Sequence, residues 1–170
     1  MEKWDLYNEN RIVIGEHIRG DELPDNGYHL VVHVWIKNNK NQFLISRRAE
    51  NRPTFPLMWE CVGGSVLTGE SSLQGAIREV KEEVGIDFDK KDGKLLFSKV
   101  RKIINNKKYN DILDVWLFEY NGDFDLKNAT TDEVECCKWL NINQIKDLYN
   151  DKKLVTSLEY IFDIKFDYTI

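Results

Sequence analysis

The sequence predicts a mixed α/β domain in which a sheet is covered on both faces by a few helices. Three observations lead there. Short β-rich runs alternate with segments of helical periodicity, which is the order of a layered α/β fold. The run "YHLVVHVWI" is apolar on both faces, as a central strand must be. The chain has 170 residues, enough for one domain with a full core.

The elements follow in order. "WDLY-NEN-RIVIG" predicts a hairpin within an N-terminal extension over residues 1–27, and "RGDELPDNG" a polar loop. After the central strand, "KNNKNQ" turns the chain and "FLISRR" returns it. "AENRPTFPLM", with two prolines, is a loop, and "WECVG" a short strand. Ser71 with Gln74 three residues on is a capping box, so a helix begins near Ser72. It carries Leu73, Ala76, Ile77, Val80 and Val84 on one stripe, and Gly85 stops it. "KLLFSKVRKII" and "DILDVWLFEY" predict two strands joined by the polar turn "NNKKYN". "EVECCKWLN" predicts the last strand. Asn141 with Gln144 is a second capping box, and "LVTSLEYIF" is apolar at helical spacing.

Composition narrows the function. Apolar residues make up 42% and charged residues 31%, the balance of a folded chain rather than a disordered one. A net charge of −5 argues against a nucleic-acid binder. The run from Leu30 to Ile36 is too short to span a bilayer, and "MEKWDLYNEN" lacks an apolar signal core, so a reducing cytoplasm is expected. Cys61, Cys136 and Cys137 have neither disulfide nor zinc spacing, and they read as buried or half-buried thiols.

Chemistry concentrates on the helix after Ser71. At about 100° per residue, Glu79, Glu82 and Glu83 share an arc beside its apolar stripe. Each like-charge pair three or four residues apart costs a few tenths of a kcal/mol on an isolated helix. Two of the acids lie in the last turn, where the helix dipole disfavours them. Lys81 is one or two residues from each and points elsewhere. Hard carboxylate oxygens so arranged suit Mg²⁺ or Mn²⁺, and an acidic solvated face is the alternative.

Gly64, five residues, Glu70, seven residues, then Arg78-Glu79-Val80-Lys81-Glu82-Glu83-Val84-Gly85-Ile86 resembles the Nudix box, G-x5-E-x7-R-E-U-x-E-E-x-G-U, with every fixed position filled. The resemblance implies an α/β/α sandwich over one domain, residues 1–170, with residues 63–86 as a loop–helix–loop. It also implies a divalent cation, Mg²⁺ with Mn²⁺ as the alternative, and a small-molecule substrate in which a nucleoside diphosphate is linked to another group. Glu79, Glu82 and Glu83 match the metal-binding and base positions. The carbonyl of Gly63 or Gly64 adds a ligand, and Glu70 with Arg78 matches a buried pair that fixes the loop to the helix. Arg47 and Arg48 are the candidates for stabilising charge on phosphate; they point to opposite sides of their strand, so one of them is expected to meet substrate. Glu133 and Glu135 are further candidate acids. Lys99, Arg101 and Lys102 read as a solvated basic strand. A monomer and a homodimer both fit.

The stretch "YHLVVHVWIKNNKNQFLISRRAENRPTFPLMWE" also resembles the pre-box region of type I isopentenyl diphosphate isomerases. Gly63 stands in place of the isomerase cysteine, Ser65 in place of a histidine, and Cys61 lies two residues too early. His29 matches an isomerase ligand, His17 lies too far upstream to match its companion, and His33 reads as a core histidine. Trp35, Trp59, Phe55 and Tyr28 could stack on a base, although aromatics at these spacings suit a core. The isomerase and a non-catalytic nucleotide-binding module are the competing functions.

Overall fold

The computed structural model of the chain describes residues 2–104 and 107–164. The strands are β1 (Lys3–Tyr7), β2 (Val13–Ile18), β3 (His29–Lys37), β4 (Phe43–Arg48), β5 (Trp59–Glu60), β6 (Val62–Ser65), β7 (Gly93–Ile104), β8 (Lys107–Glu119) and β9 (Val134–Leu140). The helices are α1 (Ser72–Val84) and α2 (Ile142–Asn150). β1 and β2 form a two-stranded sheet; the main sheet runs β5-β4-β3-β8-β7, with β6 paired to β3 and β9 to β4. The chain divides into two compact units. One comprises the residues up to Val34, Gly63–Val80 and Asp87–Leu117; the other comprises Trp35–Val62, Lys81–Ile86 and the residues from Phe118 onward.

In the first unit the hairpin forms where its alternation and turn chemistry predict it. Asn8 Oδ1 accepts from the N–H groups of Asn10 and Ile12, both at 3.0 Å, and Arg11 takes the left-handed conformation at φ 61°. The strands pair antiparallel with Trp4 opposite His17. Trp4 is buried and stacks on His29 at a centroid distance of 4.4 Å. Tyr7 and Tyr28 exchange backbone hydrogen bonds of 2.7 and 2.8 Å, which fasten the hairpin to the start of β3. Val32 and Val34 on β3 and Ala76 and Val80 on α1 are all fully buried.

Two readings are corrected in this unit. β8 begins at Lys107, so residues 107–110 extend the strand where "NNKKYN" had suggested only a turn; Asn105 and Asn106 lie outside the described residues. Arg101 is not solvated. It is 5% exposed, and its Nε and Nη2 donate to Asp111 Oδ1 and Oδ2 at 2.6 and 2.7 Å. A buried guanidinium is tolerated because a bidentate carboxylate meets it. Lys99 and Lys102 are exposed, as a solvated strand requires.

In the second unit β4 is buried over Phe43–Ser46, which marks it as interior to the sheet. β9 pairs antiparallel with it, placing Trp139 opposite Leu44 and Cys136 opposite Arg47. Trp35 sits in the core, edge-on to Phe43, and its indole N–H donates to Tyr160 at 3.1 Å. α2 is capped as its sequence predicts: Asn141 Oδ1 accepts from the Gln144 N–H at 3.0 Å, and Gln144 returns the bond at 2.9 Å. The segment "LVTSLEYIF" is helical over Thr156–Asp163, but as a 3-10 helix that buries Leu158 and Ile161. Cys61 is buried and Cys136 and Cys137 are half-buried free thiols; burial pushes the Cys137 thiol up to about 12. Among the described residues no helix is long and apolar enough to cross a membrane.

His29 and His33 share one face of β3. Burial lowers His29 to about 4, partly offset by a hydrogen bond with the backbone of Asn110. Burial and the charge of Arg101 lower His33 to about 3. Both folded values lie below the ordinary value near 6.5. As pH falls through that value the unfolded chain binds protons that the folded chain refuses, so stability is lost between about pH 6.5 and pH 4. Urea midpoints across this range should fall with pH, and His29→Gln should flatten the slope. An unchanged slope in the variant would contradict the assignment.

Candidate functional site

The site residues are carried by the loop between β6 and α1 and by α1 itself. Gly69, at φ 79°, turns the loop, and Glu70 N–H closes on Leu67 O at 3.0 Å. The helix start is fixed reciprocally. Ser71 Oγ accepts from Gln74 N–H at 3.3 Å, and Gln74 Oε1 accepts from Ser71 N–H at 2.9 Å. Gly85, at φ 72°, ends the helix.

Arg78 organises the loop and the Glu79 carboxylate in the first unit. Its Nε donates to both oxygens of Glu70 at 2.9 and 3.2 Å, and its Nη2 donates to Glu70 Oε2 at 3.1 Å. Nη2 also donates to the Ser65 carbonyl at 2.9 Å, and Nη1 to Glu79 Oε1 at 2.8 Å. Glu70 in turn accepts from the Leu67 N–H at 3.0 Å. The Arg78–Glu70 pair is half-buried, at 21% and 23% exposure, rather than fully buried. Burial alone would lower the Arg78 pKa; the hydrogen bonds and charges of Glu70 and Glu79 outweigh it and raise it.

The glycines before the loop have distinct roles. A Cβ on Gly63 would overlap the Val32 carbonyl oxygen, which belongs to the backbone of β3. A Cβ on Gly64 would overlap the Glu79 carboxylate. Gly64 therefore leaves room for that carboxylate against the loop backbone.

In the second unit Glu82 and Glu83 occupy the last turn of α1. Glu83 is 5% exposed. The Glu82 carbonyl, one of the four left without helical donors, accepts from Thr130 N–H, Thr131 N–H and Thr131 Oγ at 3.0, 3.1 and 3.1 Å. Arg48 is tied to Glu60 and to the Thr54 carbonyl at 2.8 Å, and burial, the first influence on the Glu60 carboxyl, raises its pKa. Arg47 pairs with Glu135 at 3.2 Å, and Glu133 with Arg52 at 2.6 Å. The partners Glu60, Arg52, Thr130 and Thr131 carry no local signal in the sequence, because strand register and a distant loop bring them in.

Carboxylates and backbone carbonyls are the donor types a hard divalent cation takes, and Gly64 leaves space for one such carboxylate, that of Glu79. Among the described residues, no three His, Cys, Asp or Glu side chains are gathered so as to hold a metal ion.

The two glycines separate stability from site geometry. Gly63→Ala must move backbone and should cost about 1–3 kcal/mol, lowering Tm. Gly64→Ala meets only a side-chain tip; it should lower Tm less and displace Glu79 from Arg78, visible in a crystal structure of the variant. An undisturbed Glu79 would contradict this.

The profile of the NUDIX domain matches residues 27–159. An uncharacterised Nudix hydrolase of Listeria monocytogenes is 47% identical over 100 residues, covering 58% of this chain; the chain spans 59% of that relative's length. Among solved structures, a Deinococcus radiodurans protein superposes with a TM-score of 0.73 at 22% identity, covering 91% of this chain and 92% of that one. A MutT protein from Methanosarcina mazei does so with a TM-score of 0.65 at 28% identity, covering 85% and 94%. With the box spacing, the layered α/β fold and a profile match over most of its length, the chain belongs to the Nudix family.

Proposed function

We propose that the chain is a metal-dependent pyrophosphohydrolase that cleaves a phosphoanhydride bond in a nucleoside diphosphate-linked or related diphosphate. The observation that carries this reading is the Arg78 fork, which ties the loop through Ser65 and Glu70 and holds the Glu79 carboxylate beside Gly64. A non-catalytic module has no use for a carboxylate so constrained.

Glu79, Glu82 and Glu83 would hold Mg²⁺ or Mn²⁺, with the carbonyl of Gly63 or Gly64 as a further donor. When bound, the ion supplies charge neutralisation at the diphosphate and a more acidic water. One glutamate of α1 accepts the proton of the water that attacks phosphorus. Arg78 and Glu70 orient the carboxylates. Arg47 is the more accessible of the two strand arginines, 35% exposed against 14% for Arg48, so it is the better candidate for meeting a phosphate oxygen. Glu133 and Glu135 are engaged by Arg52 and Arg47, which makes them supports for those arginines before they are acids.

The isomerase reading lacks its acid. Cys61 is 3% exposed, and the Gly63 backbone has no room for the Cβ that a cysteine there would carry.

Chromatographic detection of the cleavage products of nucleoside di- and triphosphates, nucleotide sugars, dinucleotides and coenzyme A, assayed with Mg²⁺ and Mn²⁺, tests the proposal. Hydrolysis of at least one is expected. Glu82→Gln and Glu83→Gln should each lower turnover by roughly two orders of magnitude or more while keeping the wild-type circular dichroism spectrum. Near-normal turnover in either variant would overturn that residue's role. Conversion of isopentenyl diphosphate without phosphate release would identify the isomerase instead.

A further inference from the structure

We propose that the N-terminal hairpin is a positioning device for the Nudix loop, and that Asp5 is its principal positioning residue. The hairpin precedes the segment matched by the family profile, which begins at residue 27. Its contacts nevertheless end on the loop that carries the site. Four successive loop N–H groups need acceptors, and each has one. Leu67 donates to Glu70 Oε2 at 3.0 Å and Glu70 donates to Leu67 O at 3.0 Å, so these two are satisfied within the loop. Thr68 donates to Lys3 O at 2.9 Å, and Gly69 donates to Asp5 Oδ2 at 3.0 Å. Those two acceptors come from β1.

Thr68 and Gly69 are exposed at the loop apex, where an untethered backbone would open readily. Gly69 is also in the left-handed conformation, which its own residue type permits but does not enforce. A carboxylate acceptor makes a hydrogen bond about twice as strong as a neutral one. Asp5 therefore holds the turn that leads directly into Glu70, the residue Arg78 grips on the far side.

The hairpin has a second anchor on β7 and β8. Arg11, in its turn, meets Asp114 with both guanidinium nitrogens, one at 2.7 Å, and donates to Ser98 at 3.0 Å. Burial would raise Asp114, but hydrogen bonds from Arg11, Ser72 and Ser98 outweigh it and lower its pKa. Ser72 is the first residue of α1, is 8% exposed, and accepts from the Trp116 indole at 2.9 Å. One hairpin thus contacts the apex of the loop directly and reaches the start of α1 through Asp114 and Ser72.

The kinetic part of the test rests on the hydrolase reading; the exchange part does not. Asp5→Ala removes the acceptor, whereas Asp5→Asn keeps an oxygen in place and removes only the charge. By NMR, the Gly69 amide should be protected from hydrogen exchange in the wild-type chain. In Asp5→Ala it should exchange about tenfold faster, and in Asp5→Asn, whose neutral bond is about half as strong, only about threefold faster. On a hydrolysed diphosphate at saturating Mg²⁺, kcat should fall on the order of tenfold in Asp5→Ala, with KM and Tm close to wild type, and should recover in Asp5→Asn. An unprotected Gly69 amide in the wild-type chain, wild-type exchange in Asp5→Ala, or Asp5→Asn matching Asp5→Ala would overturn the proposal. If the wild-type chain hydrolyses nothing, the hydrolase reading fails while the exchange rates still decide the role of Asp5.

Discussion

One guanidinium constrains the rest of the site. Arg78 offers five N–H donors in a fixed plane, and its acceptors include two carboxylates and a backbone carbonyl. A lysine could supply the charge but not the fork, so it could not hold Glu70, Ser65 and Glu79 in fixed relation to each other. The loop has only Val66 buried between Val62 and Ser72; polar contacts, rather than a core of its own, give it shape.

That constraint works against local electrostatics. Acids in the last turn of α1 face an unfavourable helix dipole, and like charges sit one turn apart. Glu83 is nonetheless 5% exposed. Burying a carboxylate at such a position carries a desolvation cost that its surroundings must offset. The glycines contribute space rather than flexibility: Gly63 lets β6 lie against the Val32 carbonyl, and Gly64 leaves room for the Glu79 carboxylate.

Local features were legible in the sequence. Both capping boxes, the hairpin, the end of α1 at Gly85 and the central β3 each depend on residues a few positions apart. Features that depend on strand register were not. Arg101 reads as one of three solvated basic residues until β8 brings Asp111 opposite it. Arg48 reads as an open phosphate ligand until β5 supplies Glu60. The extension of β8 to Lys107 was hidden because its polar start resembles a turn. The bond from Gly69 to Asp5 spans 64 residues and joins the site to an extension with no box signature of its own. The 3-10 winding of Thr156–Asp163 was also illegible, since an apolar stripe does not distinguish it sharply from an α-helix.

Mn²⁺ titration calorimetry at neutral pH on the wild-type chain and on Arg78→Lys tests most directly whether Arg78 orders carboxylates for a divalent ion. The wild-type chain should bind the ion, and the folded lysine variant should bind it at least about tenfold more weakly. Equal affinity in the two proteins, or no uptake by the wild type even with a diphosphate present, would contradict the account.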